Sequence, residues 1–405
     1  MVKEAPLADV RVLDLTQFLA GPFCSLLLAD MGAEVIKIER PKTGEQARHV
    51  GPFVTNEKGE RGGGYFLRLA RNKRSLTLDL SQAEGKAIFE RLVKVSDVVL
   101  ENFVPGTMEK FGLHYEALRE IHPGIVYASI SGYGQGGPNA GPFWQRPAFD
   151  MVAQALGGVM DLTGEADGPP TQVGPRIGDL FPGTLTAYAI MVALHQRQRS
   201  GVGQQIDVAM YDAMVALVER EISNYSLLGE IPTRGKDVLF APCGPFKAKD
   251  GYVSIAVVTE EQWANLCRAM EREDLIDHPQ LARGPLRAAN LEELVRPLVE
   301  GWAADKTKNE VTERLLAFDV AVGPVQNVAE LFECPHLATR NMLVEVPDPI
   351  IGPRKLAGTP IKLSGYPQPA PKAAPRLGEH TDEVLQTLLG LPSEEIARLR
   401  ESGTV

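Results

Sequence analysis

The chain has 405 residues, 44% of them hydrophobic and 23% charged, a composition that excludes a disordered chain and suits a folded protein of two or three domains. Its formal charge of −10 excludes a general nucleic-acid binder, because phosphate backbones are held by an excess of Lys and Arg; a polyanionic small ligand needs only a local basic pocket and stays open. The four cysteines (Cys24, Cys243, Cys267, Cys334) stand far apart without a CxxC pair, which excludes a disulfide framework and a cysteine zinc site and points to reduced thiols in the cytoplasm.

The opening residues, MVKEAPLADVRVLDL, lack the apolar stretch of a signal peptide, and no run reaches the ~18 apolar residues of a membrane span, so no membrane partner is expected. The longest apolar stretch, 185–194, reads as a core helix. Residues 10–16 (VRVLDLT) read as a buried strand, FCSLLLADMG as a helix stopped at Gly32, and EVIKIE as the next strand. RGGGYF at 61–66 lacks the GK[ST] of a Walker A loop and reads as a flexible rim loop. The pattern then recurs as SLTLDL, a helix over 81–95 with Ser81 as cap and Glu84 three residues on, and the strand DVVLEN. A helix at 115–121 leads into the strand IVYASISGY. Helical spacing returns at 149–158 and 180–197, followed by a turn and strand in GVGQQIDVAM and one long helix in YDAMVALVEREISNYSLL.

A composition shift at 232–245 marks a linker. GPFKAKDGYVSIAV then carries a hairpin signal with DG at the turn, and helices are predicted at 260–271 and 291–304. From about Cys334 the chain is extended and proline-rich until a last helix at 381–389, and its apolar alternation predicts packing along another surface. Alternating strands and helices predict an open, mostly parallel α/β sheet covered on both faces.

Ligands of such sheets bind outside the carboxyl ends of the strands, which draws attention to 17–22, 39–48, 102–106 and 132–137. GYGQGG at 132–137 matches GxGxxG, but Pro138, Asn139, Gly141 and Pro142 follow it. It therefore opens no helix and reads as a loop whose backbone approaches a ligand, not as a dinucleotide fingerprint. The seven histidines form no HExxH or i, i+4 pair and no acidic cluster has EF-hand spacing, so no metal site is expected. In PTQVGPRIGDLFPG (170–183) one acidic residue, Asp179, stands among glycines before an apolar helix. On composition it reads first as a helix N-cap; a carboxylate at a helix start can also be a nucleophile, and periodicity does not choose between them.

Taken in order, VLDLTQFLAGPFCSLLLADMGAEVIKIERP, NKRSLTLDL, DVVLENFVPGTMEKFGL, YASISGYGQGGP, TGEADGPPTQVGPRIGDLFPG, GVGQQIDVAMYDA and LGEHTDEVL resemble the family III CoA-transferases. That group contains formyl-CoA:oxalate and carnitine CoA-transferases and alpha-methylacyl-CoA racemases, and the resemblance covers nearly the whole chain. It implies a large open Rossmann-like α/β domain that binds CoA (1–200), a linker helix region (201–233), a smaller α+β domain (234–330) and an extended return segment with a C-terminal helix packing on the large domain (331–405). It implies Asp179 as covalent nucleophile and CoA against Arg40, Lys73, Arg74, Asn102 and Lys110. Gln17, Leu19, Ala20, Gly132, Tyr133 and Gly134 are then expected near the reacting thioester, where backbone N–H groups of the glycine loops would stabilise oxyanions. No cofactor is expected beyond the CoA that the substrate carries.

Two departures narrow the activity. Where the racemases carry a His–Asp pair this chain has Phe149–Asp150, and phenylalanine cannot shuttle a proton. The glycine run of formyl-CoA transferases is missing around VLFAPCGPF, which argues against formate and oxalate. An acyl-CoA racemase and a non-catalytic CoA-binding subunit remain as alternatives. Arg48, Arg146 and Arg176 are candidates for a second substrate carboxylate, with succinyl-CoA as donor and a malate-like acid as acceptor. The resemblance also implies an interlocked homodimer, or a hetero-oligomer with a paralogous subunit.

Overall fold

A computed structural model describes residues 4–137, 140–235 and 240–405. The chain forms two compact units, one of Met1–Gly164, Gly168–Pro232 and Thr339–Val405, the other of Glu165–Asp167 and Thr233–Ala338.

The large unit runs β1 (Arg11–Asp14), α1 (Ala20–Asp30), β2 (Glu34–Glu39), a hairpin of β3 (Phe53–Thr55) and β4 (Arg61–Gly63), α2 (Gly64–Ala70), β5 (Arg74–Thr77) and α3 (Ala83–Val93). It continues through β6 (Val98–Glu101), α4 (Thr107–Phe111), α5 (Tyr115–Ile121), β7 (Val126–Ser131), α6 (Asp150–Leu156), α7 (Val159–Leu162), α8 (Ile177–Ser200), β8 (Gln205–Ala209), α9 (Met210–Leu217) and α10 (Glu219–Leu228). Six strands form one sheet in the order β5-β2-β1-β6-β7-β8, every pair parallel. Side chains alternate between two cores, as strand geometry requires. Val12, Val98, Leu100, Val126, Ala128 and Ile130 pack with α1, α8 and α9, while Leu13, Val99, Ile125 and Tyr127 pack with α3 and the C-terminal helices. Strands buried on both faces explain the continuous apolar runs. The chain builds outward from β1 in one direction and from β6 in the other, so the topology switches between their carboxyl ends.

Helix α8 is long and apolar enough, by length and composition alone, to cross a membrane, but Ala187, Ile190, Ala193 and Leu194 place one face in the sheet's core.

The return segment closes the sheet's edge. Beyond β12 (Leu343–Val346) and β13 (Arg354–Ala357), His380 N–H donates to the Ser75 carbonyl at 3.0 Å and Thr77 N–H to Thr381 Oγ1 at 3.1 Å. These contacts satisfy backbone groups that edge strand β5 would otherwise leave open. A further helix, Ser393–Glu401, follows Thr381–Leu389. Its apolar stripe, Ile396 and Leu399, joins the core.

Three other expectations are corrected. RGGGYF is no rim loop: Arg61–Gly63 pairs with β3 and Gly64 begins α2. A Cβ on Gly62 would stand 2.7 Å from Ile351 Cγ2, so glycine lets the return segment cross there. Ser81 does not cap α3, because its N–H and hydroxyl both turn back to Asp79 Oδ1 (2.9 and 2.6 Å) and Gln82 occupies the cap position. The long helix after β8 breaks at Val218, with φ −101° and ψ 30°.

In the small unit β9 (Cys243–Ala248), β10 (Gly251–Ala256) and β11 (Ala321–Pro324) form an antiparallel sheet. It packs on helices around Trp263, Leu266, Val299 and Val311. The hairpin turns at Lys249–Asp250, and Lys236–Leu239 of the expected linker lie outside the described residues.

Candidate active site

A cleft of about 480 Å³ opens at the switch between β1 and β6. The residues following each strand line it: Leu15–Gln17 after β1, Arg40 and Thr43 after β2, Leu78–Ser81 after β5, and Phe103 after β6. Gln17 and Arg40, both expected at the site, are therefore in it. Asn102 contributes indirectly, because its side chain accepts from Gln17 N–H (2.8 Å) and donates to the Gln17 carbonyl (2.9 Å), fixing the loop. Lys110 is exposed on α4 between Thr107 and Phe111, which both line the cleft. Leu19 and Ala20 are buried at the start of α1, which has no side-chain cap, so its first amides keep their partial positive charge. Just before them Phe18 has φ 63°, a strained conformation for a side chain of that size.

Lys73 and Arg74 do not join this cleft. Lys73 is buried, with Nζ bonded to Asp14 Oδ2 (3.1 Å), the Pro22 carbonyl (3.0 Å) and Ser25 Oγ (2.7 Å). Asp14 also faces Lys37. Burial alone would raise the Asp14 carboxyl, but the two ammonium groups and the Ser25 and Thr16 hydroxyls hold it well below the usual carboxylate range. Arg74 opens β5, at the opposite end of the strands, and pairs with Glu34 and Glu383. A cation written beside a strand can thus serve the buried charge balance instead of a ligand.

Asp179 is not a cap; Arg176 holds that position and Asp179 is the third residue of α8, in its first turn. Two glycines bring this turn against its neighbours. A Cβ on Gly178 would lie 2.5 Å from the Asp150 carbonyl, and one on Gly183 2.5 Å from the Ala20 carbonyl. Asp150, the first residue of α6, accepts from Gly178 N–H at 2.8 Å and from Gln154 at 3.1 Å, and pairs with Arg176 at 3.3 Å. It thereby ties the start of α6 to the start of α8. Burial, and after it the Asp150 charge, raise the Asp179 carboxyl to about 7, against the opposing pull of Arg176 and Arg68.

Two of the three arginines expected to meet a substrate carboxylate answer to protein carboxylates. Arg176 pairs with Asp150, while Arg48 holds Glu39 through two bonds of 2.7 Å, donates to the Pro375 carbonyl and stacks on Phe66. Arg146 is exposed and stacks on Phe143 at 3.7 Å.

In the glycine loop, Gly132 abuts Ala148, Tyr133 packs edge-on to Phe143 and Tyr211, and Gly134 adopts φ 89°. Asp207 accepts from Gln135 N–H at 2.9 Å, so that amide is not free for an oxyanion. Pro138 and Asn139 lie outside the described residues. No group of three or more His, Cys, Asp or Glu that could hold a metal occurs among the described residues.

Sequence reasoning missed Tyr65 and Arg68 on α2, which share the electrostatic surroundings of Asp179. The available signal was a lone cation in an otherwise apolar run, YFLRLA.

In the nucleophile's role that the sequence resemblance implies, Asp179 would attack only when ionised, so kcat/KM for acyl transfer is expected to rise with pH through about 7 and then level. Asp150→Asn removes the second cause of that elevation and should shift the acid limb to lower pH. An unmoved limb would show that Asp179 does not set it. Stability runs the other way: the folded carboxyl lies above its unfolded value of 3.8, so the fold takes up a proton and loses stability as pH rises from about 4 to about 7. Asp179→Asn should therefore melt above wild type at pH 8, the gap closing towards pH 4.

Residues 7–381 match the family described as CoA-transferase family III. The chain is 48% identical over 387 residues to a succinyl-CoA:mesaconate CoA-transferase of Haloarcula hispanica, covering 94% of this chain and 95% of that one. It is 35% identical to a succinyl-CoA–L-malate CoA-transferase alpha subunit of Chloroflexus aurantiacus, covering 98% and 92%. The crystal structure of a CAIB/BAIF family protein from Brucella suis superimposes with a TM-score of 0.84 at 34% identity, covering 95% of this chain and all of that one.

Proposed function

We propose, because the chain belongs to CoA-transferase family III, that it moves CoA from succinyl-CoA to a second dicarboxylic acid, with Asp179 as the covalent relay. The observation that carries this reading is the Asp179 carboxylate, half-buried and raised to about 7, in a helix turn pinned by Gly178, Gly183 and Asp150. Asp179 attacks the thioester carbonyl, forming a mixed anhydride and releasing CoA thiolate. The thiolate attacks the Asp179 carbonyl of the anhydride, the donor acid leaves as carboxylate, and an aspartyl-CoA thioester remains. The acceptor carboxylate attacks that thioester and expels CoA thiolate, which then takes the acyl group from the new anhydride and regenerates Asp179. No net proton is consumed. The uncapped start of α1 supplies amides for the oxyanions, and the cleft walled by Gln17 and Arg40 receives CoA.

The mesaconate and malate named in the two relatives are both dicarboxylic acids, which supports an acceptor of that class. Phe149, 65% exposed at the start of α6, offers no proton for racemisation. For assembly we favour an interlocked dimer, or a pair with a paralogous subunit as the alpha-subunit relative's name suggests. In support, α10 has no buried residue and Leu227, Leu228 and Ile231 stand exposed. The test is purified protein with succinyl-CoA and a panel of carboxylic acids, the CoA esters read by mass. CoA esters of diacids are expected; preferential transfer to monocarboxylic acids, or hydrolysis alone, would contradict the reading.

A further inference from the structure

Helix α2 carries a cation, Arg68, whose charge acts on Asp179 and which forms no ion pair within 4 Å among the described residues. Arg68 stands one turn after Tyr65, and its guanidinium lies over the Tyr65 ring, 4.2 Å from the centroid. Tyr65 in turn packs into the cluster of Leu19, Leu69 and Leu180, the last being the neighbour of Asp179. Other arginines of this region are committed: Arg48 to Glu39, Arg71 to Asp30, Arg176 to Asp150. Among the described residues Arg68 has no such ion pair and is exposed.

Stacking on the Tyr65 ring and a hydrogen bond to its hydroxyl fix the orientation of this cation and leave most of its five N–H donors unused. A guanidinium that lies over an aromatic face keeps its N–H groups in the plane of the fork, free for a bidentate carboxylate. Its field reaches both Asp179 and the Tyr65 hydroxyl, so it lies within electrostatic reach of the carbon at which acyl transfer takes place. A monocarboxylic substrate would leave such a cation unused. A short diacid brings a second carboxylate, one short carbon chain from the reacting one.

We propose that Arg68, backed by the Tyr65 ring, receives the distal carboxylate of a short dicarboxylic substrate and sets the preference for diacids over monoacids. This rests on the reading of Asp179 as the relay of a CoA-transferase. It assigns to Arg68 the role that the sequence suggested for Arg48, Arg146 or Arg176.

The experiment is a competition between a diacid and a monoacid, malate and butyrate, for one pool of succinyl-CoA. The shared donor half-reaction then cancels and the product ratio reports acceptor choice alone. Arg68→Met should lower the malate-to-butyrate ratio by about 30-fold or more, the effect of losing one charge-assisted pair. Arg68→Lys, which keeps the charge without the fork, should fall between. Matching falls in both products, with the ratio unchanged, would overturn the proposal by showing that Arg68 acts only on Asp179 or on the fold. Should wild type itself favour butyrate, the dicarboxylate reading fails and the role of Arg68 with it. Transfer that survives Asp179→Asn would instead remove the relay, a result separable from either ratio.

Discussion

Asp179→Asn and Asp179→Ala are expected to lower CoA transfer by on the order of 10⁴-fold or more, the scale on which loss of a covalent nucleophile acts. Both variants should fold. Asp179 lies in a half-buried first turn whose register is set by Gly178, Gly183 and the Asp150 bond, none of which uses the Asp179 side chain. The asparagine variant also relieves the cost of burying a carboxylate next to Asp150. High-pH thermal melts and steady-state rates on the same samples separate the two effects. Inactive variants that are also unfolded would leave catalysis to Asp150 or to the fold and count against the assignment.

Lys73→Met should act in the opposite sense, destabilising strongly while leaving the cleft at Gln17 and Arg40 unchanged. The ammonium it removes bonds Asp14, Ser25 and the Pro22 carbonyl with its side chain wholly buried. Without it the Asp14 carboxylate keeps only Lys37, 3.8 Å away, as counter-charge. Breaking a buried ion pair by removing one partner costs about 3–5 kcal/mol, so a fall of several degrees in the melting midpoint is expected, with KM for the acyl-CoA little changed in the folded fraction. A raised KM with an unchanged melt would restore Lys73 as a CoA ligand.

These two lysine and aspartate cases show what the sequence could and could not convey. Strand alternation was legible because β1, β6 and β7 feed two apolar cores, and parallel strands advertise this as unbroken apolar runs. From that order followed the place of the cleft, at Gln17 and Arg40. Charge partners were not legible. Nothing local in NKRS says that Lys73 turns inward to Asp14, 59 positions away, or that Arg74 turns to Glu34 and Glu383. The pairing of Arg48 was hidden for the same reason, since Glu39 lies nine residues back on a strand end. The hairpin of β3 and β4 escaped notice because Gly62 serves a tertiary crossing by Ile351, a contact that no local pattern records. The C-terminal helix lacks a side-chain N-cap, Pro392 standing at that position, so its start carried no capping signal.

Cysteine chemistry offers the natural rival to Asp179, and burial opposes it. Cys24 is fully buried and its thiol is pushed far above the ordinary range, while burial pushes Cys267 up to about 12. The measurement that separates these nucleophiles is covalent trapping. Protein incubated with succinyl-CoA and quenched with hydroxylamine or borohydride should carry its modification on the peptide spanning Ile177–Ser200, at Asp179, and Asp179→Asn should carry none. Modification confined to Cys24 or another thiol, or equal labelling of wild type and Asp179→Asn, would contradict the account.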